Sequence, residues 1–222
     1  NFLHEKGYEI DGRTYKMITF SKLLGYAKYR PEKVLVFNSP IKWHISTPID
    51  EVCEALASYL FNIGTLRVGS VALPINSLSM EKVVIKDNNI TVKTLSPIVA
   101  YSTMTRVSGQ PYTCYFSPEQ KDFEEIISDN AKRKLLAFLE SPRKPEWIPA
   151  MNKNDVLALS PIMITSVNKP KKVIVNYKGI IIEAYDGIFN LSGAPLLLQI
   201  LMETGMGSKN TQGFGCLELI QK

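Results

Sequence analysis

Near its C-terminus the chain crowds four glycines and one lysine into twelve residues, Thr204-Gly205-Met206-Gly207-Ser208-Lys209-Asn210-Thr211-Gln212-Gly213-Phe214-Gly215. A leucine-rich run with helical spacing, residues 192–203, leads in, and an alternating run, Cys216-Leu217-Glu218-Leu219-Ile220, leads out. The chain must pass from helix to strand through backbone that glycine alone adopts freely at positive φ. Successive N–H groups in such a loop can form a concavity that favours an anion. Lys209 adds a compact positive charge suited to phosphate. The plainer reading is a helix-to-strand crossing with no ligand.

The order of elements narrows the ligand. A dinucleotide site needs strand, glycine loop, then helix, and here the order is reversed. The phosphate loop of nucleotide hydrolases needs G-x-x-x-x-G-K followed by Ser or Thr, and the chain contains no such string. A helix C-terminus also turns its negative dipole end toward the loop. The loop and its lysine would have to do the binding, and an extended phosphate backbone suits them better than a mononucleotide.

The pattern Gly205-x-Gly207-x-Lys209-Asn210-x-x-Gly213-Phe214-Gly215 resembles the C-terminal glycine-rich signature of the repeat-associated (RAMP) superfamily of CRISPR systems. It is most similar to the endoribonuclease branch, which cuts the long precursor of CRISPR RNA within its repeats. At the other end, Leu3-His4-Glu5-Lys6-Gly7 followed by Lys16-Met17-Ile18-Thr19-Phe20-Ser21 resembles the segment that carries that family's catalytic histidine and a downstream lysine. Leu95-Ser96-Pro97-Ile98 resembles the start of its second domain. The resemblance implies an α+β fold of two tandem ferredoxin-like (RRM-like) modules. The first spans residues 1–93 and carries the histidine; the second spans 94–222 and ends in the glycine-rich loop.

Composition is compatible with this. The 222 residues suit one large domain or two small ones, and 45% hydrophobic residues are enough for a packed core. A net charge of +5 is compatible with a polyanionic partner. Cys53, Cys114 and Cys216 are far apart and form no metal-type spacing, which suggests a reducing cytoplasm. No apolar run reaches the length of a membrane span. No metal and no cofactor are expected.

Apolar periodicity predicts helices over residues 49–61, 117–140 and 192–203, the second capped by Ser117-Pro118-Glu119. Strands are expected over 15–24, 34–37, 42–45, 66–73, 97–103, 156–166, 171–177 and 179–186. Residues 83–85 and 90–92 flank Asp87-Asn88-Asn89 and read as a hairpin. Against the β-α-β-β-α-β pattern, the first module lacks its opening strand and most of its opening helix, ~30 residues.

The chemistry that the resemblance implies is attack of an RNA 2′-hydroxyl on the adjacent phosphorus. It needs a base, a cation for the developing charge and an acid for the leaving oxygen. His4 is the expected base and Lys16 the expected cation, with Arg13 close enough to substitute. The resemblance implies that the acid is often a tyrosine in the first helix, most of which is expected to be missing from this sequence. His44 reads as structural or surface. For RNA contact the candidates are Gly205, Gly207, Lys209, Asn210, Gly213, Gly215, Lys169, Lys171 and Lys172. Lys132-Arg133-Lys134 and Arg143-Lys144 read more simply as solvated charge. The expected partner is CRISPR repeat RNA in its precursor transcript, and beyond it other subunits of a CRISPR effector complex. The competing reading is a non-catalytic RNA-binding subunit of such a complex.

Overall fold

Four strands far apart in sequence build the central sheet. The computed structural model describes residues 7–10, 12–31, 34–141 and 144–221. The N-terminal part contains β1 (Tyr8–Ile10), β2 (Arg13–Tyr15), β3 (Thr19–Phe20), β4 (Ala27–Arg30), β5 (Val34–Phe37) and β6 (Ile45–Ser46). Helix α1 (Asp50–Ile63) and the hairpin β7 (Thr65–Val68) and β8 (Val71–Pro74) follow. Then come β9 (Asn89–Thr94), the hairpin β10 (Tyr101–Thr105) and β11 (Pro111–Tyr115), and the long helix α2 (Lys121–Leu139). A short α3 (Lys153–Ala158), β12 (Met163–Ser166) and the hairpin β13 (Lys171–Tyr177) and β14 (Ile180–Asp186) precede β15 (Ile188–Ser192). Helix α4 (Pro195–Thr204) and β16 (Leu217–Gln221) close the chain.

The sheet order is β12-β15-β9-β16, with every neighbour antiparallel. With α2 after β9 and α4 after β15, this is the β-α-β-β-α-β arrangement of a ferredoxin-like module. Both hairpins, β10–β11 and β13–β14, are insertions in it. The sheet buries one face: in β9, Ile90, Val92 and Thr94 alternate inward. Helix α2 places Phe123, Ile127, Ala131, Leu135 and Phe138 on that face at three- and four-residue spacing, all buried. Helix α4 starts with Pro195, whose missing N–H is no loss in a first turn, and is apolar on nearly every side because it is enclosed.

The N-terminal part shares this core. Tyr8, Ile10, Met17, Ile18, Ile49 and Val52 belong to the same cluster as the α2 and α4 side chains. The Tyr8 and Phe138 rings meet edge to face at 4.7 Å. Strand β3 pairs with β6, and the chain just beyond it binds the C-terminal part through Lys22 N–H to Leu95 O at 3.1 Å.

Several expectations from the sequence change. Residues 83–85 form no hairpin with 90–92; β9 pairs with β15 and β16, and the boundary drawn after residue 93 falls inside it. The backbone of 83–85 is satisfied by a side chain: Ile85 N–H donates to Gln199 Oε1 at 2.7 Å, and Gln199 Nε2 donates to Val83 O at 2.8 Å. The strand expected over 156–166 is α3 followed by β12. Asn152 and Asp155 form a reciprocal capping box that starts the helix. Helix α2 begins after Gln120, not at the Ser117 cap. Residues 66–73 make a hairpin, since Gly69 at φ 60° turns the chain. Of the strand expected over 15–24, only the end of β2 and the short β3 are extended ladder, because Met17 at φ 48° breaks the run.

Candidate active-site cleft

One cleft, with a volume of about 680 Å³, is lined by residues from both the N-terminal and the C-terminal parts of the chain. Residues 14–18 form one side, the Tyr101–Thr103 edge of β10 another, α2 the floor and the glycine loop the far wall. Lys16, Arg133, Lys134 and Lys209 all line it, so four basic residues from three separate stretches of sequence border one space, with Asp129 beside them. Lys16 is held by the kink that follows it, where Met17 adopts φ 48° with its side chain buried in the core. A non-glycine residue in that region is uncommon and marks a constrained backbone. Lys209 also lies in the left-handed region, at φ 61°, and its Nζ sits 5.1 Å from the centre of the Tyr101 ring. Asn130 lines the same cleft, and its Oδ1 is buried without a hydrogen-bond partner.

The glycines serve close packing within the protein. A Cβ on Gly205 would stand 2.9 Å from the Thr19 side chain, and one on Gly213 would stand 2.7 Å from the Phe20 ring. At Gly207 it would collide with the Val99 carbonyl, and at Gly215 with the Met206 carbonyl. The loop's N–H groups are largely spent on the fold: Met206 donates to Gly215 O, Ser208 to Val99 O, Gly213 to Asn210 O and Gly215 to Pro97 O, at 2.8–3.0 Å. The expected concavity of unblocked N–H groups is therefore not formed by these residues. The loop shapes a wall, and the charge comes from side chains. Thr19 Oγ1 donates to Phe214 O at 3.0 Å, and Asn210 Nδ2 donates to the same carbonyl at 3.0 Å.

Lys134, read from the sequence as part of a solvated run, is buried. Its Nζ donates to Gly205 O at 2.7 Å and to Asn210 Oδ1 at 2.8 Å. Burial pushes its pKa down from 10.5 to about 7. Its neighbours are only half-buried: Lys132 Nζ donates to Leu157 O at 3.1 Å, and Arg133 lines the cleft together with Lys134. Helical spacing could have revealed this, since 127, 131, 134 and 138 share one face.

The remaining candidates lie elsewhere. Lys171 and Lys172 are on the β13–β14 hairpin, with Lys169 just before it, and none of the three lines the cleft. Lys172 pairs with Glu183 at 2.6 Å, which reduces its charge toward a ligand. His44 is exposed and holds Ser21 through its backbone, Ser21 N–H donating to His44 O at 2.9 Å. His4 lies outside the described residues, and nothing is described of the Arg13 side chain. Among the described residues no three His, Cys, Asp or Glu side chains gather as a metal site, and no helix is long and apolar enough to cross a membrane.

Residues 79–219, more than half of the chain, match the family described as CRISPR associated protein Cas6, C-terminal. The chain belongs to the Cas6 family. A CRISPR-associated endoribonuclease Cas6 of Pyrococcus furiosus is 27% identical over 207 residues, 92% of this chain and 70% of that protein. A CRISPR-associated endoribonuclease Cas6 1 of Methanocaldococcus jannaschii is 26% identical over 202 residues, 90% of this chain and 72% of that protein. A solved CRISPR associated protein Cas6 superposes with a TM-score of 0.72 at 23% identity, covering 92% of this chain and 79% of that one. A structure titled as a RAMP protein binding different RNA substrates gives 0.71 at 19% identity, covering 92% and 80%. The α+β fold with antiparallel sheets is thus the Cas6 fold. The Cas6 match runs from before β9 to within β16 and so takes in the glycine loop, α2 and one side of the cleft.

Proposed function

We propose that this chain is an endoribonuclease that cleaves CRISPR repeat RNA in precursor transcripts without a metal ion. The 2′-hydroxyl loses its proton and attacks the adjacent phosphorus, and the displaced 5′-oxygen takes up a proton, leaving a 2′,3′-cyclic phosphate and a 5′-hydroxyl. The single observation that carries the reading is the convergence of Lys16, Arg133 and Lys209 on one cleft. The names of the curated relatives supply the reaction class.

In this mechanism His4, from residues 1–93, takes the proton from the 2′-hydroxyl, since a neutral imidazole is the side-chain base best matched to neutral pH. Lys16 stabilises the charge that grows on the phosphorane oxygens. Lys209 and Arg133 hold flanking phosphates, and residues 205–215 keep the wall against which they lie. The volume of about 680 Å³ is of the size that takes a nucleotide-sized ligand.

The test is incubation of the protein with a panel of repeat RNAs, each paired with a copy carrying a single 2′-deoxy nucleotide at the scissile position. Cleavage of the ribose form alone, with equal binding of both, supports the reading. Cleavage of the deoxy form would overturn it. Tight binding with no cleavage of any repeat would favour a non-catalytic RNA-binding subunit.

A further inference from the structure

Of the three consecutive basic residues on α2, Lys134 alone is buried. Burying an ammonium is costly, and a leucine would fill the same space without that cost. The bonds it makes explain its presence. Gly205 caps the C-terminus of α4, where a positive charge is favourable, and its carbonyl accepts from Lys134 Nζ at 2.7 Å. Asn210 Oδ1 accepts from the same Nζ at 2.8 Å. Asn210 Nδ2 in turn donates to Phe214 O at 3.0 Å and to Met206 O at 3.5 Å, bridging both arms of the loop. Lys209 is the residue before Asn210 and sits at φ 61°, so the backbone that aims it is fixed by its neighbour.

We propose that Lys134 is a positioning residue: through Asn210 it locks the glycine loop so that Lys209 stays on the cleft wall, where it meets RNA phosphate. The proposal rests on the RNA-binding reading above. It assigns Lys134 no contact with RNA: although Lys134 borders the cleft, its side chain is buried and its ammonium is taken up by Gly205 O and Asn210 Oδ1.

The experiment compares wild type, Lys134→Met, Lys209→Ala and the double variant, using amide hydrogen exchange and the affinity for a 2′-deoxy-blocked repeat RNA at several salt concentrations. Methionine keeps the unbranched stem and removes both donors. Amides of residues 206–215 should exchange roughly tenfold faster in Lys134→Met, as when a buried hydrogen bond is lost, while β9 and β15 keep wild-type protection. The log–log salt slope should flatten by about one unit, as in Lys209→Ala, although Lys134 touches no phosphate. The double variant should match Lys134→Met in both affinity and slope. Wild-type loop exchange in Lys134→Met overturns the proposal. So does faster exchange with an unchanged salt slope, which is what a purely structural lysine gives. If Lys134→Met does not fold, Asn210→Ala decides, with faster loop exchange and a flattened slope expected and wild-type values overturning. A wild-type chain that bound no repeat RNA would remove the functional reading, while the exchange comparison would still decide whether Lys134 orders the loop.

Discussion

Thr19 and Phe214 lie 195 positions apart, yet the Thr19 hydroxyl donates to the Phe214 carbonyl at 3.0 Å with both residues buried. The segment that carries Lys16 is fastened by this bond to the loop that carries Lys209. Residues 14–18 and the glycine loop both line one cleft. Thr19→Val keeps the shape and leaves Phe214 O with Asn210 alone. We expect a loss of about 0.5–1.5 kcal/mol, the usual net worth of one hydrogen bond whose acceptor keeps a second partner. Chemical denaturation checks this, and an unchanged midpoint would mean that the bond does not tie the walls.

Gly207→Ala and Gly109→Ala separate backbone conformation from packing. Both glycines have φ near 80°, but a Cβ on Gly109 meets nothing within 4 Å, whereas one on Gly207 runs into the Val99 carbonyl. Gly109→Ala should cost roughly 1–2 kcal/mol, the ordinary left-handed penalty. Gly207→Ala should cost distinctly more, because backbone has to move. Equal losses in thermal stability would show that the loop does not need its close approach.

A half-buried carboxyl and a buried amine set opposite pH dependences. Burial raises the Glu203 carboxyl from 4.5 to about 7, with Gln199 donating to its Oε1 at 2.7 Å and its Oε2 left without a partner. Between these values the folded chain holds a proton that the unfolded chain has lost, so stability falls as pH rises from about 4.5 through about 7. Lys134 is lowered from 10.5 to about 7, so above pH 7 the unfolded chain binds the extra proton and stability rises toward 10.5. A neutral amine still offers two N–H groups to Gly205 O and Asn210 Oδ1. Melting curves across this range should lose their acid-side slope in Glu203→Gln and their alkaline-side slope in Lys134→Met. Unaltered slopes would contradict the assignment.

Lys209→Ala and Lys172→Ala should behave differently toward RNA. Lys209 lines the cleft, and its removal should flatten the salt dependence of affinity by about one unit for every repeat sequence. Lys172 is paired with Glu183 at 2.6 Å away from the cleft, and its removal should leave the slope near wild type. Affinity titrations at several salt concentrations distinguish the two, and a larger effect at Lys172 would move the binding surface to the β13–β14 hairpin.

Much of this was legible in local pattern. The apolar spacing that built α1, α2 and α4 is written in the sequence, and so is the glycine loop between α4 and β16. What local pattern could not carry was partnership at long range. Asp87-Asn88-Asn89 is good hairpin chemistry, but Gln199 takes the backbone of Val83 and Ile85, and β15 and β16 take β9. Lys134 looked solvated beside Lys132 and Arg133, because the carbonyl and amide that accept from it come from a loop some 70 residues later. The Asn152–Asp155 capping box starts α3, which runs into the stretch expected to be a strand from residue 156.

The most direct measurement is single-turnover cleavage of a repeat RNA in excess EDTA by the wild type and by His4→Ala, with the product ends identified. Wild-type cleavage should persist at an unchanged rate and yield 2′,3′-cyclic phosphate and 5′-hydroxyl ends, and His4→Ala should be slower by roughly 10²–10⁴ with nearly unchanged affinity. Strict dependence on Mg²⁺, or normal cleavage by His4→Ala, would contradict a metal-free cleft served by that histidine.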